Sequence, residues 1–452
     1  MGRSTLRAMR GAIAAGHPLT AEVGARVLGD GGNAVDACIA AAFAAAVAEG
    51  PLTGPLGGGF LLVAEPDGAV VALDCFFAEP ERPLGEMEEE VVDFADSGTQ
   101  VFHVGTGSVA VPGLLQGLEE AHGRYATRPW EELVAPAIEL ARRGVAVDPP
   151  RAFLHSILAG ILLRTPEGRR IFGDPTRVET AELVPTLERI SAAGSRALAE
   201  LVPELADDLA VYRVREVAPL EDRIWEARVC TMPRPSRGGE IVLEILAGLA
   251  ALEPWSLEGE AEVVGRAYRR WSDAPKGTTH IALVDDSGMA VSLSSTLGAG
   301  SGVFRGGLQL NNMLGELDVI GTEPRAPGER LPSMMAPTIA LDEAGRTRLV
   351  LGSAGSVRLA GAIAQVAWRI LGGACPAEAI EAPRLHVEGS TVHLEGGWPD
   401  AAAEALSPHW QVVRWDALNL YFGGVQAVER TPAGELRAAG DPRRGGVGLV
   451  VA

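Results

Sequence analysis

Acyl transfer needs a nucleophile, a base and a site for the oxyanion. Gly277-Thr278-Thr279-His280 offers the first two in one residue. A threonine that becomes an N-terminus attacks with its hydroxyl, and its own α-amine accepts the proton. A free α-amine has a pKa near 8, so no histidine partner is required. The amine exists only if the bond after Gly277 is cut, and a glycine tolerates the strained backbone such a cut needs. The plainer reading is that Thr278 and Thr279 simply begin a strand, where threonine pairs are common.

The surrounding pattern supplies elements to hold these residues. His280-Ile-Ala-Leu-Val-Asp285 reads as a strand, Asp285-Asp-Ser-Gly288 as a turn, and Ala290 to Ser295 as the returning strand of a hairpin. Thr338 to Leu341 with Arg348 to Leu351, and Gly424 to Glu429 with Leu436 to Ala439, predict two further hairpins. Helices are predicted at 359–371 and 376–383. Upstream, His17 to Glu49 reads as two helices separated by Gly31-Gly-Asn33, the second small and apolar on every side and so buried. Gly54-Pro-Leu-Gly-Gly-Gly59 leads into a buried strand at Phe60, and Gln116 to Ala210 is mainly helical. Ser256 to Gly277 is the most polar connector.

Composition narrows the function. The 452 residues are 47% hydrophobic and 22% charged, enough for a large core and outside the disordered range. A net charge of −20 argues against nucleic acid or an anionic membrane as partner. The apolar stretch from Ala37 to Ala48 is too short for a bilayer, and the three arginines of Met1 to Arg10 precede a run broken by Gly16-His-Pro18, a poor signal peptide. These features predict a cytoplasmic chain. Four scattered cysteines and eight histidines without metal-ligand spacing predict free thiols, no metal and no cofactor.

Eleven short motifs occur in a fixed order: His17-Pro-Leu, Gly31-Gly-Asn-Ala-Val-Asp36, Gly57-Gly-Gly-Phe60, Val111-Pro-Gly-Leu-Leu115, Pro129-Trp-Glu-Glu-Leu133, Ala135-Pro-Ala-Ile138, Gly277-Thr-Thr-His280, Leu310-Asn-Asn312, Pro337-Thr338, Gly352-Ser-Ala-Gly355 and Asp441-Pro-Arg-Arg444. Together they resemble the γ-glutamyltransferase family of N-terminal-nucleophile (Ntn) hydrolases, from about residue 11 to the end. The resemblance implies an α+β fold, a four-layer αββα sandwich. It implies that Thr278 attacks the carbonyl of Gly277 and divides the chain into 1–277 and 278–452, which stay together as a heterodimer. By the same resemblance Thr296 bonds the nucleophile, and the backbone of Gly355 and Ser356 forms the oxyanion hole. Arg358 would anchor that loop or hold a substrate carboxylate. A small-molecule substrate is implied, and higher oligomers are left open.

The acyl pocket departs from the family pattern. The family's arginine for the glutamyl α-carboxylate falls on Phe76, within Asp74-Cys-Phe-Phe-Ala-Glu-Pro80, and no arginine lies between Pro66 and Glu81. A family asparagine falls on Gly298. After Asn312 the family's Gln-Met-Asp-Asp becomes Met313-Leu-Gly-Glu316, which leaves Glu316 as the only acid for the amino group. A serine pair becomes Ser333-Met334. Replacing arginine by phenylalanine removes a bidentate clamp and leaves an apolar wall, and the methionines add adaptable surface. Plain γ-glutamyl compounds are therefore expected to be poor substrates. The segment before Thr278 also looks shorter than in the family. Three readings follow: an amide hydrolase or acyltransferase with altered acyl specificity; a C–C bond hydrolase of the kind in alkylproline antibiotic pathways, cleaving beside a ketone; and a non-catalytic binding homologue.

Overall fold

Strands with apolar side chains on both faces need cover on both faces, and two such sheets stacked on each other lie at the centre of this chain. The computed structural model describes residues 10–93, 99–269, 278–355 and 358–452. The strands of the two sheets are β1 (Gly11–Ala15), β2 (Gly58–Ala64), β3 (Val70–Cys75), β4 (Arg215–Val217), β5 (Leu220–Ile224), β6 (Ala227–Thr231), β7 (Thr279–Asp285), β8 (Ala290–Thr296), β9 (Thr338–Leu341), β10 (Thr347–Ala354), β11 (Gly424–Arg430), β12 (Leu436–Gly440) and β13 (Val447–Val451). The seven-stranded sheet runs β13-β1-β7-β8-β2-β3-β4, and the six-stranded sheet runs β12-β11-β10-β9-β6-β5.

Period-two alternation divides the first sheet between two cores. Ala12 and Ala14 of β1, Phe60 and Leu62 of β2, and Ala282 and Val284 of β7 point between the sheets, where Val350, Val428 and Ile339 meet them. Ile13, Ile281, Leu283 and Leu61 point the other way, towards α1 (Pro18–Gly29), α2 (Ala34–Ala48), α3 (Leu114–Tyr125) and α4 (Trp130–Arg143). The outer face of the second sheet carries α5 (Gly238–Ala250), α6 (Leu257–Tyr268) and α7 (Leu359–Leu371). The order helix, sheet, sheet, helix is the expected αββα sandwich.

Local chemistry explains the placement of α2. Asn33 caps it in a capping box with Asp36, and every one of its residues is buried, as its uniformly small, apolar sequence predicted. Two segments hold structure that the sequence reading did not assign. The connector from Ser256 is not irregular throughout: Ser256 caps α6 by accepting from Gly259 N, and Ala261, Val264, Ala267 and Tyr268 recur at helical spacing and are buried. The run after Arg10 is strand β1, held between β7 and β13. No helix among the described residues is long and apolar enough to cross a membrane.

Candidate active site

The register of the β7–β8 hairpin sets the geometry. Thr279 pairs with Ser295, so one step further back Thr278 stands opposite Thr296, and Thr296 pairs on its other side with Gly58. Alternation turns Thr278, His280, Ser292, Ser294 and Thr296 towards the space between the sheets. Thr278 is 4% exposed. His280 Nδ1 meets Ser294 Oγ at 2.9 Å. Ser292 Oγ donates to Leu351 O at 3.1 Å and accepts from Thr338 N at 3.1 Å. Complete burial pushes His280 down to about 3, so the imidazole is neutral. It occupies the space over Gly352, where a Cβ would overlap the ring.

These contacts also give the direction of approach of the second sheet. Ser292, opposite Ala282, reaches Leu351, and His280 reaches Gly352. Going back along β7 towards Thr278 therefore means going forward along β10 towards Gly355. Gly355 follows β10 with φ +133°, a backbone state that L side chains rarely adopt. Gly277 and Ser356 lie outside the described residues.

Beyond β8 the chain turns sharply. Thr296 Oγ1 accepts from Gly298 N at 2.8 Å. Gly298 has φ +71°, and a Cβ there would overlap Asn312 Oδ1. That oxygen accepts from Ala299 N at 2.8 Å and Gly300 N at 3.1 Å, while Asn312 Nδ2 donates to His103 O at 3.2 Å. Glu316 Oε1 accepts from Ala299 N at 3.2 Å and the residue is fully buried. Gly298, Asn312 and Glu316 are thus brought together beside Thr296, and the latter two hold the turn. Asn311, which sequence reasoning quoted without a role, bridges segments: its Oδ1 accepts from Ala110 N at 2.9 Å and its Nδ2 donates to Leu56 O at 3.2 Å.

The wall expected at Phe76 is aromatic. Phe76 is 1% exposed, stacks on Phe60 with centroids 5.0 Å apart, and meets Phe77 edge-on at 4.9 Å. Phe77 lies against Gly58, where a Cβ would stand 2.7 Å from its ring. Since Gly58 pairs with Thr296, the rings sit one strand away from that threonine. Met313 is buried in the same cluster, and Met334 packs against it. Sequence reasoning missed the support behind this wall. Tyr212 OH donates to Phe76 O at 2.6 Å, Asp74 Oδ1 accepts from Phe76 N at 3.0 Å, and Arg330 Nε donates to Asp74 Oδ2 at 3.1 Å. The only signal for that support was the acid at Asp74, two residues before the expected clamp.

Two expected ligand residues have other partners. Arg358 Nε donates to Tyr421 O at 2.7 Å and its guanidinium lies 3.7 Å over the Tyr421 ring, which ties the start of α7 to the turn at 420–422. Ser333 is buried with its Oγ accepting from Met335 N at 3.2 Å, so it braces its own loop.

With this geometry in place, the resemblances to known proteins are informative. The family model for gamma-glutamyltranspeptidase matches residues 20–262 and 249–451. The chain is 28% identical to an Acylase ACY 1 proenzyme of Pseudomonas sp. (strain SE83), covering 98% of this chain and 94% of that protein. It is also 28% identical to the Glutathione hydrolase proenzyme of Escherichia coli (strain K12), covering 97% and 91%. A crystal structure of cephalosporin acylase from Bacillus halodurans superposes with a TM-score of 0.82 at 22% identity, over 99% of this chain and 97% of that one, a likeness of fold. The two relatives in sequence are proenzymes of hydrolases or acylases. The match along nearly the whole chain, on an Ntn-hydrolase sandwich, places this protein in the gamma-glutamyltranspeptidase family.

Proposed function

We propose that the chain cuts itself between Gly277 and Thr278, and that Thr278 then acts as the nucleophile of a hydrolase or acyltransferase. The observation that carries this reading is the place of Thr278: buried, one residue before β7, at the register position opposite Thr296 and at the end of β7 towards which β10 runs. In the proposed reaction Thr278 Oγ attacks the substrate carbonyl and the α-amine takes the hydroxyl proton. The oxyanion forms within reach of the Gly355 backbone, with Ser356 as the second donor. The leaving amine departs with the proton, and water or an acceptor amine then releases the acyl group from the ester. The fragments 1–277 and 278–452 stay joined, because β1 of the first is hydrogen-bonded between β7 and β13 of the second.

The acyl group we propose is one without a free α-carboxylate. Phe60, Phe76 and Phe77 offer such a carboxylate no donor, and Arg330 is engaged with Asp74. Desolvating an unpaired carboxylate against aromatic rings costs several kcal/mol. A second reading keeps the nucleophile and changes the bond: Thr278 attacks a ketone, the C–C bond breaks as the leaving carbon takes the proton held by the α-amine, and water releases an oxalyl-type fragment from the ester. A panel of three substrates separates them: a γ-glutamyl anilide, a neutral aliphatic or aromatic acyl anilide, and a 2-oxo acid. We expect the neutral acyl anilide to exceed the γ-glutamyl one in kcat/KM by at least about tenfold. The reverse ranking would refute the altered pocket, and turnover of the 2-oxo acid alone would favour C–C cleavage.

A further inference from the structure

Next to Thr278 is a residue whose side chain points the opposite way. Thr279 turns to the helical layer, and its Oγ1 donates to Glu49 Oε2 at 2.6 Å. Glu49 follows the last residue of α2 and is 2% exposed. Its other oxygen accepts from Thr20 Oγ1 at 2.8 Å. Arg151 Nη2 lies 3.8 Å from Glu49 Oε2, and the same guanidinium donates to Gly16 O and, at 2.7 Å, to Arg444 O. Gly16 leaves room for this arrangement: a Cβ there would stand 2.5 Å from Glu49 Oε2 and 2.7 Å from Thr279 Oγ1. A buried acid at the C-terminal end of a helix opposes the helix dipole and needs a partner to be tolerated at all. It is an expensive way to fill space, and it is aimed at the residue after the expected nucleophile.

We propose that Glu49 and Thr279, backed by Arg151, are positioning residues for Thr278. This inference rests on Thr278 being the nucleophile. In a strand, holding residue i+1 on one face fixes the direction of residue i on the other. Before the cut, Thr278 is held by peptide bonds on both sides. Afterwards its sole covalent tether is the bond to Thr279, and a free chain end frays unless it is tied down. The Thr279–Glu49 bond takes over the hold that the Gly277 peptide provided. It joins the two fragments where precision matters most, since a misplacement of about 1 Å costs a reaction on the order of 100-fold.

The test compares wild type, Thr278→Ala, Thr279→Val, Thr279→Ser and Glu49→Gln. Self-cleavage is followed by intact mass, turnover with the best acyl anilide, and folding by thermal midpoint. Thr279→Val is expected to slow self-cleavage and lower kcat at least about tenfold while KM stays within about twofold, and Thr279→Ser to bring kcat back to within about threefold. Normal cleavage and turnover in Thr279→Val, with only a lower melting temperature, would overturn the proposal, as would failure of Thr279→Ser to restore kcat. If Thr279→Val does not fold, Glu49→Gln decides by the same two readouts, because it keeps the size of the side chain and replaces one of its two acceptor oxygens by a donor. A wild-type chain that stays uncut like Thr278→Ala would instead refute the nucleophile reading on which this one rests.

Discussion

The nucleophile corner and the acyl wall are neighbours on the same sheet, one strand apart, and they are made of opposite materials. Around Thr278 the inward face of β7 and β8 is a run of hydroxyls and one imidazole, each tied to the other sheet or to its own hairpin. Around Phe76 that face is three phenyl rings and methionine, with Asp74 and Arg330 paired to each other beside them. The resemblance read in the sequence implies that the corner keeps the family's residues and that the wall exchanges them. The chemistry of attack depends on a few fixed donors, whereas the identity of the acyl group depends on what covers the adjacent surface. One can therefore change while the other stays.

Four variants or conditions test how independent the two regions are. The largest effect is expected at the wall: Phe76→Ala should cost ~3–5 kcal/mol of stability, because it leaves a cavity under Phe60 and Phe77. Urea unfolding of the uncut Thr278→Ala background measures it on a single chain. Thr296→Val, at the corner, should lower kcat by about 100-fold with a small change in folding, since it removes the hydroxyl opposite Thr278 and the acceptor for Gly298 N. Unchanged steady-state kinetics would break the contrast. Gly352→Ala should cost ~1–3 kcal/mol, because its Cβ must displace the His280 ring. The smallest effect per step is one of pH. Burial lowers His280 from 6.5 to about 3 in the folded chain, so between these values the unfolded chain binds a proton that the folded chain refuses. Stability is unaffected above about 6.5 and falls with acidification by ~1.4 kcal/mol per pH unit until about pH 3. His280→Asn should flatten that limb of the urea-midpoint profile. His17, His155, His386 and His393, likewise pushed down by burial, keep part of the slope.

Legibility in the sequence divides along the same line. The corner could be read because its residues are contiguous: Thr278, Thr279 and His280 open one strand, Thr296 closes its hairpin partner, and Gly298, Asn312 and Glu316 follow within a short span. An aromatic residue at the place where the resemblance puts an arginine, Phe76, was readable from its motif. What holds Phe76 was not, since Tyr212 and Arg330 come from distant segments and no local pattern links them. Strand β1 was missed because Gly11-Ala-Ile-Ala-Ala15 is buried on both faces and shows no alternation. The short β4, β5 and β6 were hidden after a long helical region for a similar reason: their pairing with β3 and β9, far away in sequence, gives them their order. The role proposed for Glu49 was invisible for the same cause, its partner Thr279 lying across the expected cut.

Intact-mass analysis with N-terminal sequencing of freshly purified protein, beside Thr278→Ala, decides whether Thr278 becomes an N-terminal nucleophile. Fragments of about 29 and 18 kDa are expected from the 47.1 kDa chain, the smaller beginning at Thr278, with no cleavage in the variant. A single full-length mass in both samples, or a cut at another residue, would contradict it.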